Sequence, residues 1–169
     1  MALTKPIFRL NKPKYYAMHR SHVNKTIKTQ AKVIILGDSI VANLSRYPAV
    51  WDNHLLPFNA INCGIGGDCT QHVLWRADNF YLPPTVSTVV LSCGTNNMDF
   101  FSPVDIANSV ILSGLKLREK HPRIHVIVTA ILPRDATVTK RRIRIQQTND
   151  LLKKHCWRNN FLFVEQASY

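Results

Sequence analysis

No Asp or Glu occurs in residues 1–32 of this 169-residue chain, yet Lys5, Arg9, Lys12, Lys14, Arg20, Lys25, Lys28 and Lys32 all fall there. Most of the formal net charge of +12 therefore belongs to the N-terminal stretch, and the rest of the chain is nearly balanced. No apolar run approaches the roughly 20 residues that a membrane-spanning helix requires. The segment Met1 to Leu10 also lacks the apolar centre of a secretory signal. These absences point to an intracellular, cytoplasmic protein, with an acid-poor organelle-targeting segment as the other reading of the N-terminus. The cysteines Cys63, Cys69, Cys93 and Cys156 have neither the paired spacing of a zinc site nor the density of a disulfide scaffold. Free thiols are expected. Pro122 lies between His121 and His125 and denies them a helical pairing, so neither a metal nor any other cofactor is expected. Glycine is scarce too, at six residues, and no Walker lysine follows Gly64-Ile65-Gly66-Gly67, which argues against a nucleotide loop.

What is present is the composition of one globular domain, with 46% hydrophobic and 19% charged residues. Residues 1–31 read as a basic, disordered extension, and 32–169 as the domain. The extension is open to three uses: solvated tail, targeting peptide, or a contact to nucleic acid with Tyr15, Tyr16 and His19 as stacking groups. Beyond it, short apolar runs alternate with helical patterns. Val33 to Leu36, Val86 to Leu91, Ile124 to Val128 and Phe161 to Val164 read as strands buried on both faces, and Asn59 to Asn62 is a shorter strand candidate. A helix starts at Ser102-Pro103-Val104-Asp105, with Ser102 as cap and Val104, Ala107, Val110, Ile111 and Leu115 on its inner face. A second covers Thr139 to Cys156, with Ile143, Leu151 and Leu152 inward and Lys140, Arg141, Arg142 and Arg144 outward as a solvated or anion-binding face. Alternation of this kind predicts a parallel five-stranded sheet inside a three-layer α/β/α sandwich.

Ligands in such folds bind beyond the carboxyl ends of the strands. Three polar, glycine-containing clusters fall at such ends: Gly37-Asp38-Ser39, Cys63-Gly64-Ile65-Gly66-Gly67-Asp68 and Cys93-Gly94-Thr95-Asn96-Asn97. Each alone is explained by turns and helix caps. Together they suit acyl transfer, with Ser39 as nucleophile and the Ser39 and Gly67 N–H groups and the Asn96 amide as donors to an oxyanion.

These blocks resemble the first three of the SGNH (GDSL-type) hydrolases. The longer string Gly64-Ile65-Gly66-Gly67-Asp68-Cys69-Thr70-Gln71-His72-Val73-Leu74-Trp75-Arg76 resembles the intracellular platelet-activating-factor acetylhydrolase catalytic-subunit type and related retroelement esterase domains. The likeness runs from about Lys32 to the end, including Leu132-Pro133-Arg134. It implies a flavodoxin-like fold and metal-free hydrolysis of small, acetyl-type esters. Ser39 would be catalytic, Ser39, Gly67 and Asn96 the oxyanion hole, and Gly37, Asp38, Gly94 and Thr95 the supporting motif. Homo- or hetero-oligomers are also expected. His72 belongs to the second block as a structural residue. The family's fourth block, Asp-x-x-His, is absent, so the chain reads as a truncated esterase domain without its base and without the last helix of the fold. The sheet face that this helix covers should then be exposed or covered otherwise. A degenerate, non-catalytic binding module is the alternative.

Overall fold

A computed structural model describes residues 3–10 and 14–165. Lys12 of the basic stretch and residues 166–169, which follow Glu165 where the fourth block is missing, lie outside the described residues. Five short strands, β1 (Val33–Gly37), β2 (Ala60–Gly64), β3 (Thr88–Ser92), β4 (His125–Thr129) and β5 (Leu162–Val164), form one sheet in the order β2-β1-β3-β4-β5. Each neighbouring pair is parallel. The path runs from β1 out to β2, then back across the sheet toward β5. With right-handed crossovers the first connection lies on one face and the later three on the other. α2 (Ser39–Asn43) and α3 (Pro48–His54) occupy the first connection; α4 (Thr70–Asn79), α5 (Pro103–Lys120) and α6 (Lys140–Arg158) occupy the others.

Strand side chains sort by face accordingly. Ile34, Leu36, Cys63, Val89, Leu91, Val126 and Val128 join one buried cluster with Val73 and Ala77 of α4, Val110 and Leu117 of α5, and Ile145 and Leu152 of α6. On the opposite face α2 lies almost in contact with the backbone of β1 and β2. A Cβ at Gly37 would stand 2.5 Å from Val41 Cγ2, and one at Gly64 would stand 2.1 Å from the Ala42 nitrogen, so only glycine fits. Beyond α2 this face is thinly covered among the described residues. Val90 and Ile127 are partly buried, while Leu162 is 61% and Val164 48% exposed.

The N-terminal stretch corrects the expectation of a disordered extension. Residues 15–28 form a helix, α1 (Tyr15–Lys28), that packs beside α4. Its buried positions are Tyr15, His19 and Thr26, joined by the partly buried His22 and Val23. That is a helical stripe, but it is built from polar and aromatic residues held by hydrogen bonds, so a search for apolar periodicity passes over it. Farther out, Leu3 is 2% exposed and belongs to the core cluster, so the folded body does not begin at Lys32.

Two helix faces also differ from expectation. In α5, Ala107, Val110 and Ile111 are buried as expected, but Val104 and Leu115 are exposed, and the buried side also takes in Ile106, Ser109, Ser113, Gly114 and Leu117. Small residues let α5 close on Phe161, whose ring would meet a Cβ at Gly114 at 2.6 Å. They define the contact face without a hydrophobic signal. Ile143 of α6 is likewise exposed, and Ile145, Thr148, Leu152 and Cys156 face inward. The cap at Ser102 forms as expected, with Ser102 Oγ accepting from Asp105 N at 3.1 Å. All four cysteines are free thiols.

Candidate active site

The register of β1 with β2 and β3 sets Gly37 opposite Gly64 and Ser92, so the three glycine clusters leave the sheet side by side. Asp38 caps α2 by accepting the Ile40 N–H at 2.9 Å, which makes Ser39 the first residue of that helix. Ser39 is half-buried, and its Cβ lies 3.9 Å from where a Gly66 Cβ would be. No hydrogen-bond partner reaches Ser39 Oγ among the described residues. First and second clusters are also joined by Ile65 N donating to Gly37 O at 3.0 Å.

The second cluster is a tight turn. Ile65 O accepts from Asp68 N at 3.1 Å, and Gly67 has φ +78° while Gly66 does not have a positive φ. This combination is a type II turn, with glycine at the position that requires the left-handed region. Second and third clusters are linked in turn. Asn96 Nδ2 donates to Asp68 O at 2.9 Å, Asn97 Oδ1 accepts from Thr70 N at 2.9 Å, and Asn97 Nδ2 donates to Gln71 Oε1 at 3.0 Å. One amide hydrogen fixes the Asn96 side chain, which leaves the second for a ligand. Ser39, Gly67 and Asn96 therefore share one rim, and Gly37, Asp38, Gly94 and Thr95 form its floor.

Below the rim lies a buried ion pair that sequence reasoning missed. Arg76 and Asp68, both with fully buried side chains, pair at 3.1 Å. Arg76 also donates to the carbonyls of Gly37 and Cys63 at the ends of β1 and β2, and its Nη2 lies 3.2 Å from His22 Nδ1. The pair thus fastens the second cluster to the two strand ends. The only available sequence signal is an arginine on the inner side of a helix, eight residues after an aspartate. A second such device holds the third cluster. Arg144 donates to the carbonyls of Met98 and Phe101, and Arg141 pairs with Asp99 at 2.9 Å. These α6 side chains, expected on a free cationic face, instead fasten the loop that carries Asn96.

Burial shapes the titration of this region. It pushes the Asp38 carboxyl up to about 6, assisted by Asp68 and opposed by the Ile40 N–H and Arg134. His72 accepts from Cys69 N at 3.0 Å and is held neutral, its pKa lowered to about 4 by burial and Arg9. It serves as a cap of α4, which matches its structural reading. No histidine hydrogen-bonds Ser39 among the described residues. A shallow recess with a cavity volume of only about 10 Å³ is lined by Asp38 and Ile40, the neighbours of Ser39 in the chain, with Thr95, Ala130, Ile131 and Leu132. Among the described residues no group of three or more His, Cys, Asp or Glu is arranged to hold a metal ion, and no helix is long and apolar enough to cross a membrane.

The family of GDSL-like lipases/acylhydrolases matches residues 35–168. The platelet-activating factor acetylhydrolase IB subunit beta homolog of Drosophila melanogaster is 31% identical over 140 residues, covering 82% of this chain and 61% of the relative. The human platelet-activating factor acetylhydrolase IB subunit alpha1 is 30% identical over 148 residues, covering 83% and 60%. The chain thus spans about three fifths of the length of these relatives. Among solved structures, a GDSL-like lipase of Bacteroides thetaiotaomicron superposes with a TM-score of 0.67 at 21% identity, over 93% of this chain and 78% of that one. A member of the lipolytic G-D-S-L family from Veillonella parvula gives 0.63 at 19%, over 79% and 76%. At such identities these two likenesses speak for the fold alone.

Proposed function

Because the chain belongs to the GDSL-like lipase/acylhydrolase family, we propose that it carries the nucleophile and the oxyanion-binding half of a carboxylic-ester hydrolase site. The observation that carries this reading is the meeting of Ser39, Gly67 and the anchored Asn96 amide on one rim. Ser39 Oγ attacks the ester carbonyl carbon and gives its proton to a base. The negative charge that develops on the carbonyl oxygen is taken up by the Ser39 and Gly67 N–H groups and Asn96 Nδ2. Collapse expels the alcohol and leaves an acyl-Ser39 ester, which water cleaves to the free acid. The sequence contains no Asp-x-x-His, and the reading assigns no side chain of this chain as the base. The name of the matched relatives, acetylhydrolases, favours a short acyl group such as acetyl. The free, mostly buried thiols suit a reducing compartment, so the reading is of an intracellular enzyme. The matched relatives are named as subunits, which favours an oligomer here too.

The test is hydrolysis of p-nitrophenyl acetate with imidazole supplied as an external base. Without a complete triad the oxyanion hole and binding retain roughly 10³–10⁴-fold over water; imidazole is expected to add a Ser39-dependent rate above that level, and Ser39→Ala should remove this added rate. Equal rates for the two proteins would dismiss the assignment.

A second reading rests on a different surface. The outer face of α1 presents Tyr16, Arg20, Lys25 and Lys28, and no acidic residue lies among them. Such a face fits a nucleic-acid backbone. Binding of single-stranded RNA that weakens linearly in log–log salt titration, and is lost in a K25A/K28A variant, would support it. Salt-independent or absent binding would set it aside.

A further inference from the structure

The segment before α1 is pinned to the folded body at three points. Leu3 is buried in the core cluster, Ile7 N donates to Gln71 O at 3.1 Å, and the Phe8 ring packs edge-on against Trp75 with centroids 4.9 Å apart. These anchors deliver Arg9 to the turn of the second cluster. Arg9 Nη1 donates to Gly66 O at 2.9 Å and lies 3.6 Å from Asp68 Oδ1. The guanidinium fills the space a side chain at Gly67 would take, since a Cβ there would stand 2.8 Å from Nη2.

Gly66 O and the Gly67 N–H belong to the same peptide unit. In a planar trans peptide the two groups point in opposite directions. A group that holds the carbonyl therefore also aims the N–H. The need for such a group follows from the sequence. Types I and II turns differ by roughly a half-rotation of the central peptide, and a non-glycine residue at the third position restrains that rotation. With glycine at both central positions neither conformer is excluded, and the N–H could point to either side of the loop. We propose that Arg9 is a positioning residue that locks the Gly66–Gly67 peptide in its type II orientation and so directs the Gly67 N–H into the oxyanion hole. Charge assists the effect. A cation on the carbonyl polarises the peptide and strengthens the donor at its other end. Asp68 lies between the two guanidinium groups, 3.1 Å from Arg76 and 3.6 Å from Arg9.

This inference rests on the reading of Gly67 as an oxyanion donor, and the experiment separates the two. Hydrolysis of p-nitrophenyl acetate with imidazole is compared for the full chain, Ser39→Ala, Arg9→Ala, Arg9→Met and Arg9→Lys, alongside thermal unfolding of each. Complete loss of an oxyanion donor lowers kcat by about 10²–10³-fold. Partial misdirection of one should lower it by about 10-fold to 100-fold in Arg9→Ala and Arg9→Met, with KM unchanged. Lysine should restore part of the rate, and added methylguanidinium should restore part of it in Arg9→Ala but none in the S39A/R9A double variant. Arg9→Met keeps the aliphatic stem, so it remains informative if Arg9→Ala unfolds. An unchanged kcat in the folded Arg9 variants, with Ser39→Ala inactive, overturns the role of Arg9 alone. A loss confined to KM, or one that methylguanidinium does not relieve, overturns it as well. An unaffected Ser39→Ala overturns the site itself, and the inference with it.

Discussion

An alanine at position 67 meets two obstacles at once: a φ of +78°, and Arg9 Nη2 at 2.8 Å from the new Cβ. The backbone strain costs about 1–3 kcal/mol, and relieving it by a peptide flip turns the N–H away. Gly67→Ala is therefore expected to lose Ser39-dependent ester hydrolysis by about 10²-fold or more while unfolding cooperatively. Wild-type turnover in that variant would show that the Gly67 N–H takes no part. Histidine protonation sets the pH behaviour of the same neighbourhood. His19, His22 and His72 are held neutral by burial, with pKa values lowered to about 4, 3 and 4. A histidine whose pKa is depressed on folding contributes stability that is complete above its unfolded value near 6.5 and is lost as pH falls toward the folded value. Asp38 acts in the opposite sense, because its raised pKa favours folding at low pH and that contribution fades as pH rises through about 6. Three groups outweigh one, so the melting temperature should climb between pH 4 and 6.5. A flat or falling profile across that window would contradict the buried, neutral histidines.

Elements hold the rim through contacts that the sequence shows unevenly. The glycine clusters were legible, because glycine, serine and asparagine after an apolar run can only mark a strand end with chemistry or a turn. So was the capped start of α5 at Ser102. Helix α1 was not, because its buried stripe is Tyr15, His19, His22 and Thr26, whose burial depends on partners far along the chain. His19 Nε2 meets Asn79 O at 3.2 Å, and His22 meets Arg76. The same holds for Arg141 and Arg144, which look like a solvated charge run until the Met98–Phe101 carbonyls are set beside them. The pair that joins these elements is also the most sensitive. Replacing Arg76 with methionine removes the fully buried cationic partner of Asp68, so a loss of about 3–5 kcal/mol in urea unfolding is expected. A change below about 1 kcal/mol would mean that the pair is not fully desolvated.

At the scale of the whole molecule the sheet is covered unequally. One face is sealed by α4, α5 and α6, while the other carries α2 over β1 and β2 and leaves Leu162 and Val164 in solvent. The strand pattern alone could not distinguish these faces, because continuous apolar runs such as Val33 to Leu36 imply burial on both sides. An apolar fluorescent dye should therefore bind the native protein, and a Leu162→Lys/Val164→Thr variant should bind less of it while changing stability by under about 0.5 kcal/mol per site. Equal dye binding would place the exposed surface elsewhere. The same architecture brings the carboxyl ends of β1, β2 and β3 together, and with them Ser39, Gly67 and Asn96. The most direct measurement is the intact mass and peptide map of the chain after exposure to a fluorophosphonate in imidazole buffer. A single phosphonyl adduct on Ser39, absent from Ser39→Ala, is the expected result. No adduct, or an adduct on any other residue, would contradict Ser39 as the nucleophile.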